Sequence, residues 1–160
     1  REAGLEVAGG VVVDRTLRTG HPAVHAAGDI TEAEHPLLRQ RVRVEHWANA
    51  LNQGLTAGAN CAGATEVYDR IPYFFSDQYD MGMEYSGWPI AWDQVAFRGD
   101  VDEGAFVAFY LLDGRVIGGA NVNVWDVNEH VQAQIRAAQP ADLEVLTDPS
   151  IDPSQWPVPA

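Results

Sequence analysis

Two segments constrain this chain more than any others: Val24–Asp29 (VHAAGD) and, beyond a polar stretch, Arg43–Gly54 (RVEHWANALNQG). The first reads as a short apolar strand that stops at Gly-Asp, the second as the opening of an amphipathic helix. A strand ending this way delivers the Asp29 carboxylate to the carboxyl edge of a sheet, where open α/β sheets bind ligands. Gly28 withholds a side chain that would block approach. A helix N-terminus arriving alongside adds unbonded N–H groups and the positive end of a dipole. Such a pairing suits a ligand with hydroxyls at one end and developing negative charge at the other.

Around these segments, residues 1–30 are short and strand-like. Gly10–Asp14 has a buried-strand pattern, Pro22–Ala27 has another, and Leu17–Pro22 between them has turn chemistry. Residues 31–42 are polar and read as a surface loop. The helix, from about Val44 to Ala62, places Val44, Ala48, Leu51, Leu55 and Ala59 on one stripe. Gly54 and Gly58 weaken it by ~1 kcal/mol each relative to Ala and would let it pack closely against a sheet. Ala62–Glu66 reads as its stop. Cys61, the one cysteine, is expected to pack as a small hydrophobe near the helix end.

The texture changes after Asp69. Ile71–Phe75 is aromatic, and Met81–Gly87 and Gln94–Arg98 look like antiparallel strands. Ala105–Leu112 and Arg115–Val124 flank Asp113-Gly114, the strongest short hairpin signal there is. Asp126 is placed to cap a helix over roughly Val127–Ala138, ahead of Pro140, and a second short helix is expected around Asp142–Leu146 before a Pro-rich tail. The spacing predicts two domains, 1–68 closing an α/β unit and 69–160 forming a compact α+β unit. The abrupt, charged entry at Arg1 points to a piece of a longer protein.

Bulk properties exclude several classes. The net charge of −13, from 23 acidic residues against 10 basic ones that are all Arg, argues against nucleic acid and anionic membranes as partners. No apolar run approaches the ~20 residues of a membrane span. One cysteine and scattered histidines make neither a disulfide framework nor a metal site. His21 and His25 have helical metal spacing, but Pro22 and the strand pattern spoil it. A cytoplasmic location is the default expectation.

In this order and spacing, the segments Gly10–Asp14, Leu17–Thr19, Ala26–Asp29, Glu45–Ala50, Gln53 and Pro72–Gln78 resemble FAD-dependent NAD(P)H–ferredoxin reductases. These are the reductase components of bacterial oxygenase and cytochrome P450 systems, with rubredoxin reductases and apoptosis-inducing factor as relatives. The resemblance runs over nearly the whole chain. It implies the last segment of a Rossmann-like FAD-binding domain, followed by an α+β reductase C-terminal domain whose antiparallel sheet carries helices on one face. Members of the family are more than twice this length, and their Gly-rich nucleotide fingerprints come earlier; no GxGxxG occurs here.

The resemblance also implies roles. Asp29 would accept hydrogen bonds from the ribityl chain of FAD, next to Gly28. The backbone around Glu45, His46 and Trp47 would meet the pyrimidine end of the flavin, where a helix N-terminus stabilises negative charge on reduction. His46 is read as a solvated or packed histidine rather than a proton donor. Phe75 stands where many relatives carry Trp; it keeps an apolar cover for the flavin but lacks the indole N–H. Arg39, Arg41 and Arg43 form the one basic cluster. Their alternating spacing places them on one side of an extended segment, either a docking patch for an acidic ferredoxin or a solvated loop. No residue is assigned a catalytic role. The expected parent passes electrons from NAD(P)H through FAD to a ferredoxin, with rubredoxin, oxygen or a nitrite reductase as other acceptors. The alternative is a non-catalytic domain for docking or self-association, as in a homodimer, without a complete FAD site.

Overall fold

The computed structural model describes residues 3–157, so Arg1 and the last three residues of the Pro-rich tail lie outside the described residues. The chain divides into two compact units, one running to Pro72 and the other beginning at Tyr73.

In the first unit, β1 (Val11–Val13), β2 (Thr31–His35) and β3 (Gln40–Val42) form a three-stranded sheet in that order. β1 and β2 run parallel, with Val11 opposite Thr31, while β2 and β3 form an antiparallel hairpin. This corrects two expectations. Pro22–Ala27 is not a strand, and makes only an isolated bridge between Arg18 and His25. The strands lie instead in the stretch read as a polar loop. β2 alternates correctly, with Thr31, Ala33 and His35 buried and Glu32 and Glu34 turned outward. Its buried face escapes notice because two of its three residues are polar. Thr31 and His35 are tolerated there because each is hydrogen-bonded, His35 Nε2 to the Arg70 carbonyl at 2.9 Å.

α1 (Trp47–Cys61) follows. Its orientation is the reverse of the expected one. The residues it buries are Asn49, Gln53, Thr56, Ala57 and Asn60, while Leu51 is 50% and Leu55 65% exposed. At 3.6 residues per turn these two sets face roughly opposite directions. The buried amides fasten loops. Asn49 Nδ2 donates to the Val44 carbonyl at 2.9 Å, and Asn49 Oδ1 accepts from the Tyr68 hydroxyl at 3.0 Å. Asn60 Nδ2 donates to the carbonyls of Thr16 and Glu66, and its Oδ1 accepts from the Glu66 N–H at 2.7 Å. Burial raises the Tyr68 phenol to about 12. Gly54 and Gly58 lie on the outer side, with nothing within 4 Å of an added Cβ, so neither serves close packing. The helix ends at Cys61 with Ala62 as its C-cap, and Gly63 follows at φ +100°. Cys61 is exposed rather than packed, its Sγ 3.4 Å from His25 Nδ1. The small apolar core combines Val13, Leu17, Ala33, Ala57 and Tyr68.

The second unit is a five-stranded antiparallel sheet, β4 (Tyr73–Gln78), β5 (Met81–Gly87), β6 (Gln94–Asp100), β7 (Ala105–Leu112) and β8 (Arg115–Val122), in the order β4-β5-β8-β7-β6. The Asp113-Gly114 turn joins β7 to β8 with both residues at positive φ, 51° and 71°, as a two-residue hairpin requires. α2 (Asn128–Ala137) packs on β8 and β5, and α3 (Leu143–Thr147) on β6. Gly119 makes room for α2: a Cβ there would lie 2.6 Å from Val131 Cγ1. Asp142 caps α3 by accepting from the Val145 N–H, whereas Asp126, expected to cap α2, does not; the N-cap is Val127, and Asp126 sits at φ 60°. Residues 148–156 return over the sheet, where the buried Arg98 donates to the carbonyls of Asp148 and Ile151 and stacks 5.4 Å from the Trp156 ring centre.

Candidate functional site

Gly28 and Asp29 open a single 3-10 turn, Gly28–Ile30, that leads into β2 rather than ending a strand. The Asp29 carboxylate is therefore presented at the entry of β2, not at a carboxyl edge. Gly28 is buried with φ +80°, and a Cβ there would stand 3.3 Å from the Ala50 Cβ. Its missing side chain serves a left-handed turn seated on α1, a different reason from the one expected. Gln53 locks the turn in place. Its Oε1 accepts from the Gly28 N–H at 2.8 Å and lies 2.9 Å from the Thr31 hydroxyl, which also reaches the Gly28 carbonyl at 2.8 Å.

The turn is thereby held against the first half of α1. His46 is the N-cap residue, extended at φ −119°, ψ 142°; its side chain makes no capping hydrogen bond, and the first turn carries no acidic residue. The leading N–H groups of an α-helix have no partners within it. Burial pushes the His46 imidazole below its usual value, and the nearby Asp29 carboxylate opposes that shift. Gly28, Asp29 and His46 are thus brought together. Trp47, the first helical residue, is 75% exposed. Glu45 is exposed and pairs with Arg43 at 2.5 Å.

Arg43 is committed further, donating to the Asp29 carbonyl at 3.1 Å and the Gly9 carbonyl at 2.5 Å. Arg41 reaches the Val13 carbonyl at 3.3 Å. Arg39 occupies the β2–β3 turn at φ 53°, which interrupts the continuous extended segment expected for the cluster. With Arg15 and Glu34, Arg39 and Arg41 line one surface cavity. In the second unit, Phe75 lies in β4, opposite Glu84 of β5, and is 58% exposed. Among the described residues no cluster of three or more His, Cys, Asp and Glu side chains is arranged to hold a metal, and no helix is long and apolar enough to cross a membrane.

Gln53 is the residue that the sequence reading undervalued. A signal existed: Asn49, Gln53, Thr56 and Asn60 recur at four, three and four residues, the spacing of one helix face.

Residues 73–155 match the family model described as Reductase C-terminal, more than half of the chain. The chain belongs to that family. Residues 1–54 match the model for pyridine nucleotide-disulphide oxidoreductases. Among relatives, the ferredoxin–NAD(+) reductase component of the anthranilate 1,2-dioxygenase system of Burkholderia cepacia is 38% identical, over 93% of this chain and 37% of its own length. Putidaredoxin reductase of Pseudomonas putida is 33% identical over 76% of this chain and 30% of its own. Among solved structures, the ferredoxin reductase for the CYP199A2 system of Rhodopseudomonas palustris superposes with a TM-score of 0.89 at 32% identity, covering 96% of this chain and 38% of that one. The reductase in a covalent putidaredoxin reductase–putidaredoxin complex gives 0.86 at 30%, covering 96% and 37%. This family member therefore spans about a third of the length of the proteins it resembles, 30% to 38%, and its likeness is to their C-terminal part.

Proposed function

We propose that the chain is the C-terminal portion of a FAD-dependent NAD(P)H–ferredoxin reductase. The observation that carries this reading is the Gln53 clamp, which holds the Gly28–Asp29 turn beside the uncapped start of α1. An exposed carboxylate suits the hydroxyls of a ribityl chain, and a helix start with no cap from the His46 side chain suits the pyrimidine carbonyls of a flavin, so the residues fit FAD. FAD, when bound, accepts a hydride and releases single electrons. Asp29 would bind the ribityl chain. The backbone at Glu45, His46 and Trp47 would orient the ring and stabilise the negative charge it gains. Phe75 would shield it from water. Arg39 and Arg41, at the cavity they share, would offer local positive charge to an acidic ferredoxin, although the net charge of −13 opposes long-range attraction.

Stopped-flow mixing of the FAD-loaded protein carrying this chain with NADH and NADPH tests the reading. One of them should bleach the flavin, and Asp29→Ala should weaken FAD retention. A flavin bleached by neither refutes it.

A second reading is favoured by the exposed stripe of Trp47, Leu51 and Leu55 on α1. By itself, this 160-residue chain would be a non-catalytic docking or self-association domain without a tight FAD site. It should purify colourless; a yellow protein with flavin absorbance after gel filtration contradicts this.

A further inference from the structure

Beside the far end of α1 the first unit holds a surface cavity of about 630 Å³ that the flavin reading leaves unused. Its wall includes Asp14, Arg15, Arg18, His25, Glu34 and Asn60. That wall is held from several sides. Asp14 Oδ1 accepts from the Thr16 hydroxyl at 2.6 Å and from the N–H groups of Thr16 and Arg18 at 2.8 and 3.1 Å. Buried Asn60 ties the Thr16 carbonyl to the helix end at 2.8 Å. His25 is fixed through its neighbours. The Val24 carbonyl accepts from the Thr19 N–H at 3.0 Å, and the Ala26 N–H donates to the Leu17 carbonyl at 3.1 Å.

Two charges on this wall are uncommitted. Asp14 is occupied by the bonds above and by Arg18, 3.8 Å away. Among the described residues, the side chains of Arg15 and Glu34 have neither a hydrogen-bonded nor an ion-paired partner. In a chain of net charge −13 whose basic residues are all Arg, two guanidiniums on one cavity wall reverse the sign locally. On the same wall His25 meets a nucleophile. Its Nδ1 stands 3.4 Å from Cys61 Sγ, within reach of the thiol proton. Cys61 is exposed, so the sulfur is open to a reagent from solvent. It is the one cysteine of the chain, and any disulfide it forms takes its second sulfur from another molecule. The C-terminal end of a helix does not favour an anion, so removal of the thiol proton falls to His25.

We propose that this cavity is a site for a small disulfide carrying carboxylates and an ammonium group, as oxidised glutathione does, with Cys61 as the point of covalent attachment. Arg15 and Arg18 pair with the carboxylates, and Glu34 with the ammonium. His25 takes the Cys61 proton, and the thiolate attacks one sulfur of the ligand's S–S bond. That bond breaks, a new one joins Cys61 to half of the ligand, and the other half leaves as a thiolate that recovers the proton. Cys61 is oxidised to a mixed disulfide and the departing half is reduced to a thiol. The site needs no flavin and goes beyond the reductase reading.

Intact-mass spectrometry of the purified chain over time tests it, with oxidised glutathione and an uncharged hydroxyethyl disulfide as the two reagents. Wild type should gain one mixed disulfide, at Cys61. Arg15→Ala should slow the glutathione reaction several-fold and leave the uncharged reaction unchanged. His25→Gln should slow both several-fold. Arg15→Ala reacting with glutathione as fast as wild type, or slowed alike with both reagents, overturns the cavity as the binding site. His25→Gln as fast as wild type with both reagents overturns the proton transfer, and a wild-type chain that forms no adduct overturns the whole proposal. Arg15 is exposed, so its variant keeps the test open if His25→Gln fails to fold.

Discussion

Replacing Gln53 by Leu tests the clamp that organises the candidate site. Gln53 is 2% exposed and its Oε1 serves two donors, the Gly28 N–H and the Thr31 hydroxyl. The hydroxyl has one proton and a second acceptor, the Gly28 carbonyl at 2.8 Å, so it can turn away without loss. The Gly28 amide has no such alternative within the clamp. Leu conserves most of the side-chain volume, which keeps any cavity small, so the cost is mainly one stranded buried N–H, about 1–3 kcal/mol. Urea unfolding followed by far-UV circular dichroism, which weights α1, should show that loss. Thr31→Val, which removes a group with two acceptors, should cost less, about 0.5–1.5 kcal/mol. The two substitutions together should cost less than their sum, since they share one oxygen. A Gln53→Leu protein within about 0.5 kcal/mol of wild type, the usual range for an inconsequential surface change, would refute the claim that this amide holds the turn.

Three further outcomes are expected. His46 should titrate below its ordinary pKa of 6.5 because burial disfavours its cation, and Asp29→Asn should lower it further by removing the opposing charge. A base depressed by folding adds stability that is full above pH 6.5 and is lost as pH falls through the folded pKa; histidine ring shifts in NMR measure both, and an upward move in Asp29→Asn counts against the contact. Arg98→Leu should release residues 148–156 and cost about 3 kcal/mol for two charge-assisted hydrogen bonds, read as new proteolytic cleavage after Thr147. Burial first, then the hydrogen bond to Glu84, raises Tyr73 to about 12, so its contribution to stability is full below pH 10 and disappears between about 10 and 12. Glu84→Gln should bring its ultraviolet phenolate titration down part of the way.

What could be read in the sequence was whatever rests on local chemistry. Asp113-Gly114 specifies its turn because two adjacent positive φ values exclude most other residues. The strands at Met81–Gly87 and Ala105–Leu112 and the Asp142-capped helix follow from similarly short-range causes. What escaped was burial of polar groups. Thr31 and His35 disguised β2, and the Asn and Gln side chains of α1 sent its leucines outward. For His35, Gln53 and Asn60 a deciding partner is a backbone group many residues away, Arg70, Gly28 and Thr16 in turn, and no short window of sequence contains both. The location of Asp29 and His46 together was legible; the turn geometry that joins them was not.

The two faces of α1 carry different physical constraints. The amide face answers to the fold, since each of its groups completes a loop whose backbone would otherwise be left wanting. The leucine face, half or more exposed at Leu51 and Leu55, completes no loop among the described residues. Mutations there can therefore accumulate at little cost in stability, and whatever this helix meets can be changed over generations while the scaffold that presents it stays constant.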